Sequence, residues 1–506
     1  MYSEDTAQSW EAAALASEWA IGQLTDQTVS FKWENKKLEY RQLPDGTFSP
    51  PPGVTTELTS SNGLYQLKEQ FGTVLEFGAN QKINNWKDID GNTLTFSYNA
   101  QTNLDLVTDT YNRSLAFTYN PNGTRLDAVT DSTGRSINYQ YNAQGDLTTY
   151  TDPENNSWEY TYNNDHRFIT SIDPLNQTGI SNIYGVTGQV VTQHNASGDV
   201  YTFYYTDFRN VEENPQGNQR IHYFDKKHRQ YAIENELGNL QLYIHDGQDH
   251  IILELDSRSG ITRRYYDSYH NPTNTRNALG NETHFIYDTQ HCLIRVRDSL
   301  GNETDYGYDT KHHLTSQTNA SGHVTTRSYY PDGLLKTEQQ TVNGEQRTVN
   351  YIYDNYRQPQ AITRTHGGTQ TNTWNARGNL LQSTDANGNS TTYIYDRNDH
   401  AMTITDAKGN MTSNTYNQAG QLVATKDRNQ NSTTRTYTPT YKIGTITHPD
   451  GSVISNQYDS RDLLIAITDG QGNTASNEYD EAQRLVKIID PLGHAKPPSP
   501  MTRMTT

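Results

Sequence analysis

The sequence has a single cysteine, Cys292, among 506 residues. One thiol excludes a disulfide within the chain and a zinc site built of cysteines alone. Its neighbour is His291, and adjacent side chains on a strand point to opposite faces of the sheet. We therefore expect Cys292 to be a packed or edge residue rather than a catalytic nucleophile.

Positive charge and long apolar runs are also lacking. The chain has 40 Lys and Arg against 58 Asp and Glu, which gives a net charge of −18. Binding to nucleic acid or to an anionic membrane requires clustered positive charge, so we expect neither partner. No stretch reaches the length of a membrane-spanning helix. The acidic start "MYSEDTAQSW" does not resemble a secretory signal peptide.

Hydrophobic residues make up only 32% of the chain, a share that by itself favours disorder. Tyrosine, in contrast, occurs 36 times. Its ring is large and apolar while its hydroxyl group is polar, so a folded core can be built from tyrosine rings.

The tyrosines recur at a fixed spacing, as "DANGNSTTYIYDRNDHAMTITDAKGNMTSNTYNQAG" (residues 385–420) illustrates. The step from Tyr395 to Tyr416 is 21 positions, and 19 such positions, 16 of them Tyr, follow one another at mostly this interval. We call the recurring residue the anchor. Strict recurrence indicates a structural role. The anchors that we predict as structural repeat positions are Tyr98, Tyr119, Tyr141, Tyr162, Tyr287, Tyr308, Tyr353, Tyr395, Tyr416, Tyr458 and Tyr479.

Each unit reads approximately D-x-x-G-N-x-T-x-x-x-Y-D-x-x-G-x-L-x-x-x-T. The Gly of the first turn, such as Gly388 or Gly409, suits a backbone with positive φ. In "STTYIYD", Tyr393 and Tyr395 alternate with Ile394, as on a strand with two different faces. Two short strands and two turns fit into one interval between anchors, whereas a strand and a helix need more room. The repeat therefore predicts an all-β meander of antiparallel hairpins.

Units such as "DSLGNETDYGYDTKHHLTSQTN" and "DGQGNTASNEYDEAQRLVKIIDPLG" resemble the YD repeats of the RHS family. This family includes bacterial Rhs proteins, the C components of insecticidal toxin complexes, and teneurins. The resemblance implies a long spiral antiparallel β-hairpin sheet that forms a shell or part of one. In complete members the shell encloses a C-terminal toxin, which self-cleavage releases. Here the last unit ends in "DPLGHAKPPSPMTRMTT", and we expect a truncated shell without its toxin.

We predict four regions along the chain. Residues 1–26 form a short helical segment, and residues 27–84 form a β-rich leader at the start of the shell. Residues 85–496 form the YD-repeat array. Residues 497–506 form an irregular, truncated tail.

Two metal motifs fail on spacing. "DIDGN", with Asp88, Asp90 and Asn92, resembles the start of a calcium loop, but the twelfth position is Ala100 rather than Glu. His312 and His313 are adjacent, so on a strand their side chains would diverge. We predict turn chemistry at these positions and no metal or cofactor.

The first functional hypothesis is a non-enzymatic shell that encapsulates or presents a toxin or effector polypeptide, with that passenger or a secretion-system component as partner. Such a protein would be extracellular or on the cell surface, exported without a recognisable signal peptide, and cytoplasmic before export. The alternative is an adhesin-like repeat protein that binds carbohydrate or a partner cell, since aromatic rings stack on sugars. The regular register of the anchors favours a packed core over a row of sugar sites.

Overall fold

The computed structural model describes residues 28–33, 36–51, 54–258, 260–342 and 344–497. These residues form an all-β structure, which confirms the predicted fold class. The helical segment predicted for residues 1–26 lies outside the described residues, as does the tail after residue 497. Within the described ranges, no helix is long and apolar enough to cross a membrane.

A small sheet precedes the repeats. Its strands pair in the order β1-β2-β3 and are antiparallel. They span β1 Thr28–Trp33, β2 Lys36–Gln42 and β3 Phe48–Ser49.

The remaining strands, β4 to β46, form one sheet. They are β4 Glu57–Ser61, β5 Leu64–Lys68, β6 Val74–Phe77, β7 Ile83–Lys87, β8 Thr93–Tyr98, β9 Leu104–Asp109, β10 Ser114–Tyr119, β11 Leu126–Asp131, β12 Ser136–Tyr141, β13 Leu147–Thr151, β14 Ser157–Tyr162, β15 Phe168–Ile172, β16 Thr178–Tyr184, β17 Val190–Asn195, β18 Val200–Thr206, β19 Arg209–Glu213, β20 Gln219–Phe224, β21 Gln230–Glu234, β22 Leu240–His245, β23 Ile251–Leu255 and β24 Ile261–Tyr266. They continue with β25 Pro272–Arg276, β26 Glu282–Tyr287, β27 Leu293–Arg297, β28 Glu303–Tyr308, β29 Leu314–Thr318, β30 Val324–Tyr329, β31 Leu335–Val342, β32 Glu345–Tyr353, β33 Pro359–Arg364, β34 Gly368–Trp374, β35 Leu380–Thr384, β36 Ser390–Tyr395, β37 Ala401–Thr405, β38 Met411–Tyr416, β39 Leu422–Lys426, β40 Ser432–Tyr437, β41 Ile443–Thr447, β42 Val453–Tyr458, β43 Leu464–Thr468, β44 Thr474–Tyr479, β45 Leu485–Ile489 and β46 Ala495–Lys496.

From β5 to β45, every strand of this sheet pairs with the strand before it and the strand after it, always antiparallel. The chain is thus a continuous strip of hairpins, as the repeat predicts. The ladder crosses residue 85 without interruption, through the pairing of Asn85 with Thr95. The division into a leader and a repeat array stays a prediction.

The two junctions of each repeat unit differ in width. In the hairpin that follows an anchor, the register shifts just before the anchor, as between Thr415 and Tyr416, which is a β-bulge. Between consecutive units the ladder has only three residue pairs, as where Ala424, Thr425 and Lys426 meet the next strand. The strands therefore splay apart on the side where the anchors lie, and this adds curvature to the sheet.

The only cluster of fully buried apolar residues in the described part lies where the small sheet packs on the start of the strip. Phe31 and Tyr40 of the small sheet contact Leu58, Leu67 and Leu75 of the strip. Elsewhere most apolar side chains are half-buried or exposed, with Val211, Ala232 and Cys292 as buried exceptions, because the strip has one sheet thickness and packs mainly along itself.

Candidate functional site

Two kinds of turn alternate along the strip, on opposite edges. The anchor turn directly follows an anchor, and the spacer turn contains the Asp-x-x-Gly sequence that precedes the next anchor strand. Most turns of both kinds open with an Asp or Asn whose side chain accepts hydrogen bonds from backbone N–H groups inside the turn. Asp385 accepts from the N–H groups of Asn387 and Asn389, and the side chain of Asn389 donates to it at 2.9 Å. These bonds lower the pKa of Asp385.

Most anchors donate a side-chain hydrogen bond to the previous unit. The phenol of Tyr98 donates to the carbonyl oxygen of Ile83 at 2.8 Å. Ile83 lies beyond the three residue pairs that join β7 and β8, so its carbonyl is outside the ladder between the units. The same bond is made by Tyr119, Tyr141, Tyr184, Tyr266, Tyr287, Tyr308, Tyr329, Tyr353, Tyr416, Tyr437, Tyr458 and Tyr479.

This bond explains why the anchor is Tyr rather than Phe. A buried carbonyl without a partner costs free energy, and the phenol supplies the missing donor where the ladder ends. Trp374 preserves the donor, because its indole N–H bonds the carbonyl of Pro359 at 3.1 Å. Two anchors that are not among those listed for this bond make ring contacts instead. Tyr162 packs edge-on against Phe168, and Tyr395 stacks on Tyr393.

Neighbouring anchor turns contact each other at a spacing of 20 residues. The Sγ of Cys292 lies 3.0 Å from Nδ1 of His312, and Nε2 of His250 lies 2.9 Å from Nδ1 of His270. The partner of Cys292 is thus His312 and not the adjacent His291, the only histidine that the local sequence suggests. The repeat length is the signal that identifies it, because equivalent turns lie side by side. Cys292 is 5% exposed, and burial together with Asp288 raises the pKa of its thiol.

Spacer turns of the first part of the strip also contact anchor turns that are 221 to 268 residues later in the chain. We call this line of contacts the seam. Its bonds and ring contacts are made by side chains and single turn backbone groups, and not by a β-ladder. It joins Phe71 to His312, Asp90 to Lys311 and His313, Asn92 and Tyr111 to Asp332, Arg135 to Arg397 and Asp399, Asp152 to Asn398, Glu154 to Arg397, Asp173 to Tyr441, and Gln216 to Asp459.

The order of these contacts gives the path of the strip. From Asp90 through Asp152 to Gln216, the partner moves forward from His313 through Asn398 to Asp459. A strip folded back on itself would show partners in decreasing order, so the strip winds as a spiral. Since strands β4 to β46 cover residues 57–496, they make more than one winding and fewer than two.

Asp90 forms a charged contact of the seam with two residues of one anchor turn. Its carboxylate lies 3.0 Å from Nζ of Lys311 and 3.0 Å from Nε2 of His313. The other ring nitrogen of His313 lies 2.8 Å from Asp309. Partial burial works to lower the pKa of His313, but the hydrogen bonds to Asp90 and Asp309 outweigh it and raise the pKa above 6.5.

The calcium-like motif is therefore part of this seam. Asp88 accepts hydrogen bonds from the backbone and side chain of Asn92, which is ordinary turn chemistry, and Asp90 is bound by cations of the second winding. Across the described residues, no group of three or more His, Cys, Asp or Glu is arranged to hold a metal ion.

Further along the seam, Arg135 donates to Asp399 of the second winding and to Asp131 of its own turn. Asn398 donates to Asp152 at 2.6 Å. Partial burial works to raise the pKa of Asp131, but the hydrogen bonds from Thr133 and Arg135 outweigh it and lower the pKa to about 2. The seam thus consists mainly of carboxylates that accept hydrogen bonds from side-chain donors. No sequence motif predicts it.

A spiral strip of hairpins, with tyrosines bonded from unit to unit, defines a hairpin-repeat wall. The RHS repeat family model matches residues 119–156, 141–178, 287–324, 374–411 and 458–495. No curated protein sequence matches the chain. The chain therefore contains RHS repeats, which confirms the resemblance to YD repeats seen in its sequence.

Among solved structures, TcdB2-TccC3 without its hypervariable C-terminal region shares the fold, with a TM-score of 0.51 at 12% identity over 94% of this chain and 33% of that one. TcdB2-TccC3 itself gives 0.49 at 13% identity, over 97% and 32% of the two chains. A Tc holotoxin pore from Photorhabdus luminescens gives 0.43 at 15% identity, over 81% and 26%. The chain therefore spans about one third of the length of the first two structures.

Proposed function

We propose that this chain is a wall segment of a container that encloses a toxin or effector polypeptide. The seam carries the proposal, because it turns a long strip of hairpins into stacked windings. Contacts such as Asp90 with His313 and Gln216 with Asp459 hold windings together over 221 to 268 residues of chain. A wall of this kind separates the two sides of the sheet without needing a reactive group.

The RHS repeats and the shared fold support the toxin-related part of the proposal. The structure that shares the fold at a TM-score of 0.51 is a TcdB2-TccC3 complex without its hypervariable C-terminal region. We propose that this chain acts in the same kind of complex, as a non-enzymatic component that is exported with its passenger.

The anchor tyrosines fit a structural role in this wall. Most of their hydroxyl groups donate hydrogen bonds to backbone carbonyls of the previous unit, as Tyr308 does to the carbonyl of Leu293 at 3.0 Å. A sugar would have to compete with these bonds. Carbohydrate binding stays a prediction, for which Tyr204 and Tyr265 are the candidates, since they lie outside the anchor register and are 49% and 52% exposed.

Protection of a passenger tests the proposed function. An unfolded, epitope-tagged peptide is appended after residue 506, and its digestion by proteinase K is compared with that of the same peptide alone. We expect slower digestion in the fusion, and faster digestion again when Arg135→Gln weakens the seam. Arg484→Gln is the matched control, because Arg484 bonds Asp480 of its own turn at 2.7 Å, as Arg135 bonds Asp131. A fused peptide digested as fast as the free peptide would contradict containment.

A further inference from the structure

A cleft of about 890 Å³ lies between the small sheet and the first strands of the strip. The buried side chains of Leu67 and Leu75 line it, at 5% and 1% exposure. Its walls carry half-buried apolar side chains from both sheets, among them Val29, Leu38 and Ile83. A concave apolar surface of this size accommodates several large side chains.

Lysines stand at this cleft. Lys37 and Lys82 both line it. The ammonium group of Lys82 lies 5.1 Å from the ring centre of Tyr98 and bonds the carbonyl of Thr102. Glu69 is the one acidic residue among the lining residues that the structure describes. Although Lys37 also pairs with Glu39 of its own strand, lysines outnumber acidic residues in the described lining, and the cleft suits an apolar segment with negative charge.

The chain itself contains such a segment directly before the cleft. Two thirds of the residues in 10–24, "WEAAALASEWAIGQL", are apolar, whereas the whole chain is 32% hydrophobic. Residues 1–27 contain five Asp and Glu and no Lys, Arg or His. Thr28 lies four residues after Leu24 and lines the cleft, so the described part of the chain begins at the cleft.

We propose that residues 10–24 bind in this cleft and cover the apolar surface between the small sheet and the strip. The hydrophobic side chains, such as Trp10, Leu15 and Trp19, would fill it, since burying apolar surface drives such docking. The acidic residues Glu11 and Glu18 would face the lysines. This inference does not depend on the container function, because it concerns only the start of the chain.

Thiol protection in the full-length chain tests the proposal. With Cys292→Ala as background, Leu15→Cys is reacted with a maleimide, and Ser3→Cys in the same background serves as the reference outside the proposed docking segment. We expect Leu15→Cys to react about tenfold more slowly, because reaction requires the docked segment to open. Equal rates for the two thiols would overturn the proposal.

A second substitution then identifies the docking site. Ile83→Glu places a charge in the cleft, and Lys82→Glu reverses the charge at the same place with less effect on packing. Both should speed the reaction of Leu15→Cys, whereas Ile394→Glu, at a position 61% exposed on the other face of the strip, should not. Protection that survives both cleft substitutions would place the segment elsewhere and overturn the proposal. Protection that disappears on dilution would show docking into a second copy, which also contradicts it.

Discussion

Nε2 of His313 lies 3.0 Å from Oδ2 of Asp90, although 223 residues separate the two in the chain. The pair joins an anchor turn of the second winding to a spacer turn of the first. Because Asp309 holds the other ring nitrogen at 2.8 Å, a protonated His313 donates to two carboxylates at once. Lys311 adds a second cation to Asp90 at 3.0 Å.

The first prediction concerns pH. The pKa of His313 is raised above its usual 6.5. Its contribution to the free energy of unfolding is therefore fully present below pH 6.5 and is lost as the pH rises through the raised pKa. We expect His313→Asn to reduce the free energy of unfolding at acidic pH more than at alkaline pH, in urea unfolding curves measured across that range.

His400 provides the control for this measurement. It occupies the same turn position as His313 and bonds its own Asp396 at 2.9 Å. Of the two histidines, only His313 also bonds a carboxylate across the seam, that of Asp90. His400→Asn should therefore change the pH dependence less. Equal effects of the two substitutions would show that the bond across the seam adds nothing to the titration of His313.

The second prediction concerns the anchor hydroxyl. Tyr308→Phe keeps the ring but removes the donor to the carbonyl of Leu293, which lies 3.0 Å away. Loss of one such hydrogen bond should cost about 1 kcal/mol in the free energy of unfolding. Tyr395→Phe is the comparison, because Tyr395 is not among the anchors above that make this bond. Its ring stacks on Tyr393, which Phe preserves, so the loss in the free energy of unfolding should be smaller. Urea unfolding measures both, and an equal cost would contradict the role of the phenol.

The third prediction concerns the seam arginine. Arg135→Gln removes the ion pairs with Asp399 and with Asp131. We expect backbone amides in the spacer turn of Arg135 and in the anchor turn of Asp399 to exchange hydrogen faster, because local opening becomes easier. Arg484→Gln should affect only its own turn. Faster exchange confined to residues 131–135 would show that the seam pair does not hold the windings.

The fourth prediction concerns Cys292. Its thiol is buried against His312, and burial together with Asp288 raises its pKa, so little thiolate is present at neutral pH. We expect slow reaction with a disulfide reagent in the folded protein and fast reaction in urea. A thiol as reactive in the folded protein as in urea would contradict the buried, inert role.

The repeat spacing predicts much of this fold. The fixed interval between Tyr395 and Tyr416 predicts the hairpins and places neighbouring anchors on one face of the sheet, because side chains alternate along a strand. The same spacing also places the anchor turns of Cys292 and His312 side by side, which leads to their contact. The neighbours of Cys292 in the chain do not indicate this contact, whereas its neighbours in the repeat do.

The seam could not be predicted in this way. Which anchor turn meets Asp90 depends on the twist and splay added at every strand, and small changes accumulate over the many strands of one winding. One additional repeat unit per winding would move the partner of Asp90 from His313 to the next anchor turn along the chain. No motif around Asp90 or Gln216 indicates the accumulated twist and splay of the strands. The turn chemistry at Asp88, in contrast, could be predicted from the local sequence.

The spiral path itself is tested most directly by one distance. Gln216 and Asp459 lie 243 residues apart in the chain, and Nε2 of Gln216 is 3.2 Å from Oδ2 of Asp459. Spin labels on Gln216→Cys and Asp459→Cys, in a Cys292→Ala background, report their separation by electron paramagnetic resonance. The wound strip predicts neighbouring labels about 20 Å apart or less, whereas a flat sheet would separate these turns by about 110 Å at the usual spacing between strands. A long distance would contradict the seam and the container built on it.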